Sequence, residues 1–221
     1  MTTPEANLPP VPVPQGADSV LVAAAPGDGR GFWAGSPSSA LAGDGAVYLA
    51  YRLRRPLGAG RGYANVVARS EDGEHFETVA ELAREEFDCD SLERPALVAL
   101  PGGGWRLYVS CATPGTLHWR VDVLDADDPA AFDPATARTI LPGDVDTAVK
   151  DPVIVWERGS WHMWLCCHPL DVPVAADRMV TRYATSLDGL SWNIRGVALE
   201  PRAGEWDQRG TRVASVLRAG G

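Results

Sequence analysis

The 221-residue chain is 45% apolar and 22% charged, an ordinary balance for a globular protein, and carries a net charge of −9. It has no basic run, which argues against nucleic acid and against an anionic membrane surface, since both need a Lys/Arg footprint. No stretch reaches the ~18 consecutive apolar residues of a membrane-spanning helix, and the length suits one sizeable core or two small ones.

Residues 1–18 are Pro-rich and polar and read as an extended or disordered leader. They lack the basic and apolar regions of a secretory signal. The four cysteines (Cys89, Cys111, Cys166, Cys167) are irregularly spaced, with two adjacent, so they do not form a disulfide framework. A cytoplasmic location with reduced thiols is the expectation.

Ser19–Ala25 reads as a short apolar strand, and a pattern then recurs. A strand opens on a proline or small residue at Ser36-Pro37, Arg94-Pro95, Asp151-Pro152 and Arg212-Val213. The prolines stand at 37, 95 and 152, and so are spaced by 58 and 57 residues. A Gly turn and an aromatic-rich strand follow: Val47–Tyr51, Trp105–Val109 and Trp161–Leu165. A third strand ends in an acidic turn and an aromatic (Asp72-Gly73 to Phe76, Asp127-Asp128 to Phe132, Asp188-Gly189 to Trp192), and a fourth closes each unit.

Four-stranded repeats without helical periodicity predict an all-β fold, a β-propeller built of four-stranded blades. One such sheet cannot bury both its faces, so blades stack radially and cover one another. The expected blades are 33–83, 92–142 and 149–200, with a fourth begun at 207, about three and a quarter in all. An open array exposes sheet faces and edges, so either the chain is a fragment or another chain covers its open end.

In a propeller the first strands line the axis, and their leading residues gather at one mouth. Here those are Ser36, Glu93 with Arg94, Lys150 with Asp151, and Thr211 with Arg212. Convergent carboxylates and cations suit glycosyl transfer, which needs an acid for the leaving oxygen and a base or anion opposite it. They equally suit ion pairs around a wet channel. Asp151 and Glu93 are the candidate catalytic carboxylates. Arg52 breaks an apolar strand and points into the mouth or pairs with an acid. Trp33 stands before the first inner strand, either to stack on a sugar ring or to pack between blades. His168, at a strand end, is a candidate rim contact.

Two features look like chemistry and read better as structure. In Asp72-Gly73 and Asp188-Gly189 an Asp bonds its own turn and Gly supplies positive φ, without the oxygen ligands of a Ca²⁺ loop. Cys166-Cys167-His168 lacks a CxxC pair, so its cysteines are read as buried apolar residues and no metal is expected.

The chain resembles the five-bladed β-propeller glycosidases. It is most similar to glycoside hydrolase family 130, the β-mannoside phosphorylases and mannosidases, and then to the arabinanase, levansucrase and invertase group. Tyr48-Leu49-Ala50-Tyr51-Arg52 looks like the family's Tyr-Leu-Leu-Tyr-Arg strand, and Ser70–Phe76 like its Ser-x-Asp-Gly-x-x-Phe turn. Lys150-Asp151-Pro152 stands at its Lys-Asp-Ala, His168-Pro169 at its Arg-Pro, and Trp206-Asp207 at its Trp-Asp before the fourth blade. The resemblance implies a glycoside hydrolase or phosphorylase with an oligosaccharide or glycoside as partner. It implies no cofactor, with inorganic phosphate as co-substrate where the bond is phosphorolysed. Trp33, Ser36, Arg52, Arg94, Lys150, His168, Asp207 and Arg212 would contact substrate. Some positions depart from the pattern. The family's proton-donating Asp lies in Glu-Asp-Pro-Arg, where this chain reads Glu93-Arg94-Pro95-Ala96. Ser36 replaces the first-blade Asp of the arabinanase–invertase group, and Thr211-Arg212 its fourth-blade Glu. The alternative is therefore a degenerate propeller that binds a sugar or acidic metabolite and lacks the proton donor.

Overall fold

The computed structural model describes residue 16 and residues 19–171 and 178–217. It is all-β, with three four-stranded antiparallel sheets, each a simple meander. The first sheet is β1 (Trp33–Leu41), β2 (Val47–Arg54), β3 (Gly62–Ser70) and β4 (Glu77–Ala83). The second is β5 (Ala96–Ala99), β6 (Trp105–Ala112), β7 (Trp119–Ala126) and β8 (Arg138–Leu141). The third is β9 (Thr147–Glu157), β10 (Ser160–Pro169), β11 (Val180–Ser186) and β12 (Asn193–Leu199). These are three propeller blades in chain order.

Side-chain alternation explains the stacking. Along β2, Tyr48 and Ala50 face the second blade, while Leu49, Tyr51 and Leu53 face the other way. The first inter-blade core joins Tyr48, Val67 and Leu82 to Leu97, Trp105, Leu107 and Leu124, with the Tyr48 and Trp105 rings 4.7 Å apart. The second joins Tyr108, Val121 and Val123 to Val149, Met163, Leu165 and Cys167. All four cysteines are free and buried.

The acidic turns tie strands, and the third of them also ties blades. Asp188 Oδ1 accepts the Leu190 and Ser191 N–H groups at 2.8 Å each, and Asp72 Oδ1 does the same for Glu74 and His75. Gly189 and Gly73 take φ of 71° and 78°, which only glycine adopts freely. From the second blade, Tyr108 Oη donates to the Gly189 carbonyl at 2.8 Å and Arg106 Nη1 to that of Asp188 at 2.7 Å.

The first strands share one irregularity at the proline. Opposite Tyr51, between the Gly35–Arg52 and Ser38–Ala50 pairs, β1 carries two residues, Ser36 and Pro37. Opposite Leu165, β9 likewise carries Asp151 and Pro152. These are β-bulges, where proline forfeits no ladder hydrogen bond. Ser36 and Asp151 sit at φ of 57° and 52°, an uncommon region for residues other than glycine.

Two expectations are corrected. Ser19–Ala25 is not a strand: it has no ladder partner, and Ala23 packs against the outward face of the first blade. The fourth blade's opening strand does not form within 211–217 either. Gly210 makes one parallel bridge to Met179 and Thr211 N donates to the Met179 carbonyl, but no second strand is present among the described residues to build a ladder. The expected leader at 1–18 lies, Gly16 aside, outside the described residues.

Candidate functional site at the propeller mouth

A cavity of about 1050 Å³ opens where the three blades converge, at the upper end of small-molecule pockets. Of the residues expected at the mouth, Trp33, Ser36, Arg52, Glu93, Lys150, His168 and Arg212 line it. Its walls carry seven arginine and lysine side chains against two carboxylates, Glu93 and Asp90.

Glu93 is the hub. It is 5% exposed and accepts a hydrogen bond from Arg52 Nη1, with Arg61 Nη2 at 3.8 Å and Lys150 Nζ at 4.0 Å. The bond joins the first blade to the second because Arg52 continues the Tyr48–Ala50 face of β2 to its mouth end. Burial lowers the Arg52 pKa to about 10 and pushes that of Lys150 down as well. The Lys150 ammonium lies 4.6 Å from the centre of the Trp119 ring. The Arg52 guanidinium lies 4.4 Å from that of Trp33, so Trp33 stacks on a protein cation, and a Cβ on Gly35 would come within 3.1 Å of the same ring.

Three expected site residues lie elsewhere. Asp151 is 1% exposed and sits beneath the cavity. The bulge turns its side chain toward the second blade, where Oδ1 accepts the Arg94 N–H at 3.1 Å and its own N–H donates to Ser110 Oγ at 2.8 Å. Arg212 Nη1 lies 3.0 Å from Asp151 Oδ2, an ion pair without hydrogen-bond alignment. Asp151 thus ties the first strands of two blades to the segment after the third. Arg94 lies in a separate axial cavity of about 560 Å³, where Nη1 donates to the Val213 carbonyl at 3.2 Å. The Asp207 carboxylate is held by Arg202 Nε at 2.9 Å.

Others join the mouth that the spacing pattern did not single out: Arg54, Arg61, Arg84, Arg209 and Trp119. Arg54 had a signal, because period-2 alternation from Arg52 puts it on the same face of β2. Arg61 had none: it stands at φ 47° between Gly60 and Gly62, and only the fold brings it beside Glu93. A Cβ on Gly62 would fall 1.9 Å from the Leu92 carbonyl oxygen, so that close approach of backbones requires glycine.

No family model and no curated protein matches the chain. Solved structures do. A thermostable family-43 glycoside hydrolase aligns with a TM-score of 0.55 at 14% identity over 75% of this chain and 55% of its own. A structure described under the GH130 family of mannoside phosphorylases, which contains glycoside hydrolases targeting β-1,2 mannosidic linkages in Candida mannan, aligns at 0.57 and 15% identity over 94% and 66%. Fructan 1-exohydrolase IIa from Cichorium intybus, in complex with 1-kestose, aligns at 0.55 and 16% over 76% and 32%. At these identities the likeness is one of fold: the three sheets are blades of the propeller found in five-bladed glycoside hydrolases. The chain spans 55% and 60% of the length of the first two such structures.

Proposed function

We propose that this is a carbohydrate-active propeller protein, a glycoside hydrolase or phosphorylase that takes its glycoside into the cleft at the mouth. The supporting observation is Glu93: a carboxylate on the wall of a large cavity, surrounded by Arg52, Arg61 and Lys150. Inverting hydrolysis needs a second carboxylate to activate water. Asp151 is engaged below the cavity, so it is a positioning residue in this reading, and Asp90, the other carboxylate on the wall, is exposed and accepts the Gly115 N–H at 3.1 Å. Phosphorolysis fits better, because phosphate brings its own nucleophilic oxygen and asks only for cations. The bond from the anomeric carbon to the leaving oxygen breaks, one from that carbon to a phosphate oxygen forms, and Glu93 in its acid form gives its proton to the leaving oxygen. In this reading Lys150 and Arg212, which line the cavity, hold the phosphate.

A second reading rests on the same residue. Glu93 is bonded to Arg52, and a carboxylate in an ion pair has no proton to give. A propeller that binds a sugar or acidic metabolite without turnover follows from that. β-Mannosides incubated with and without inorganic phosphate separate the two. Release of mannose 1-phosphate that disappears in Glu93→Gln supports the phosphorylase. Calorimetric binding without turnover supports the receptor. Neither binding nor turnover across a panel of neutral and acidic glycosides refutes both.

A further inference from the structure

The walls of the mouth hold more positive charge than Glu93 neutralises, and the surplus is concentrated on the first blade. Arg54 ends β2, one alternation beyond Arg52, and Arg61 stands opposite it, immediately before the Gly62 that pairs with Arg54. The Arg55 N–H donates to the Arg61 carbonyl at 2.7 Å and fixes the two loop ends together. Among the described residues no carboxylate pairs with Arg54, and Arg61 reaches Glu93 only at 3.8 Å. The Nε atoms of Arg52, Arg54 and Arg61 are all buried without a hydrogen-bond acceptor. Buried donors normally find one, so these three guanidinium groups on one wall carry more donors than the protein itself satisfies. Burial and the Arg54 charge also depress the Arg61 pKa.

Two rings hold the arginines in place. Arg54 lies 5.6 Å from the centre of Trp33, and Arg61 lies 5.9 Å from that of Trp119. The cluster is not part of a generally basic surface, because the chain as a whole carries a charge of −9. Its positive field is local to the cavity and set against that background.

We infer that Arg54 and Arg61 form a subsite for an anionic substituent, and that the glycoside taken at the mouth carries a carboxylate or phosphate group. Paired guanidinium forks match either anion, and each lies beside an aromatic ring, Trp33 or Trp119. The inference rests on the reading that a glycoside enters this mouth, and it adds the substrate class.

Titration calorimetry and tryptophan fluorescence with four probes test it: glucuronate, glucose 6-phosphate, methyl glucoside and inorganic phosphate. Wild-type protein is expected to bind one of the acidic sugars at least about tenfold more tightly than methyl glucoside. Arg54→Gln with Arg61→Gln is expected to abolish that preference, so that acidic and neutral sugars bind alike. Arg54→Lys with Arg61→Lys keeps the charge but not the fork, and is expected to retain part of it; this pair serves if the glutamine variant does not fold. A neutral sugar that binds as tightly as the acidic ones overturns the inference and leaves the glycoside reading standing, as does a preference that survives both variants. Binding of inorganic phosphate alone, lost in the double variant, identifies a free-anion site and overturns the acidic-sugar assignment. Absence of all binding overturns the inference and the glycoside reading together.

Discussion

Glu93→Gln isolates the electrostatic centre of the molecule. The substitution keeps the shape of the side chain and removes one negative charge. It leaves Arg52 and Lys150, 4% and 5% exposed, as neighbouring cations without their shared counter-ion. Removing one partner of a buried ion pair costs about 3–5 kcal/mol. Here the lower end applies, about 3 kcal/mol, because the pair borders an open cavity and the third cation, Arg61, has a side chain 40% exposed and screened by water. For a protein of this size that lowers the melting temperature by roughly 6–12 °C. Urea unfolding at neutral pH, followed by tryptophan fluorescence, measures it as a shift in midpoint at constant slope. A second arm checks the mechanism: an anion entering the cavity replaces the lost charge, so phosphate would stabilise Glu93→Gln more than wild type. A loss under about 1 kcal/mol, within the range of an exposed pair, would refute the assignment of Glu93 as the hub. So would a variant indifferent to phosphate.

Other substitutions test the scaffold. Asp151→Ala removes the buried acceptor of the Arg94 N–H and the partner of Arg212, whose side chain is 39% exposed and screened by water; a loss of about 1–3 kcal/mol in urea unfolding is expected, and a neutral outcome would show that the first strands hold without it. Tyr108→Phe deprives the buried Gly189 carbonyl of its donor, with an expected cost of about 1–3 kcal/mol at neutral pH. Burial raises the Tyr108 pKa from 10.0 to about 12, so the unfolded chain loses that proton first. The Tyr108 contribution therefore falls as pH rises from 10.0 to about 12, and the gap between wild type and Phe should narrow there in alkaline melts. Asp188→Asn tests an acidic turn: the Ser191 and Leu190 N–H groups hold this carboxyl well below its ordinary 3.8. Its contribution is present above that value and lost as pH falls through the folded one, so the difference in melting temperature should shrink below pH 3.8; a difference constant down to strong acid would refute the turn argument.

By itself the sequence determined the blades. Strand alternation, Gly turns and Asx-type turns are decided within a few residues, so the spacing of Pro37, Pro95 and Pro152 was enough to divide the chain into four-stranded units. Two local readings went astray for one reason. Ser19–Ala25 and 211–217 have strand composition, but a strand exists only with a partner to bond, and composition does not supply one. The meeting of Glu93 and Lys150 at one rim also followed from the repeat, because equivalent positions in stacked blades converge, and Arg52 was legible separately as a charge at the end of an apolar strand.

Only the tertiary structure decided which side chains enter the cavity. The bulges at Ser36-Pro37 and Asp151-Pro152 break the alternation on which such assignments rest, and the second carries the Asp151 carboxylate beneath the floor. Arg94 turned into the axial cavity, and Asp207 toward Arg202. Arg61 and Trp119 come from a loop and a strand of different blades, with no common spacing to announce them. A charge finds its partner through space, and the cationic excess of this mouth emerges only when residues far apart in the chain share one cavity.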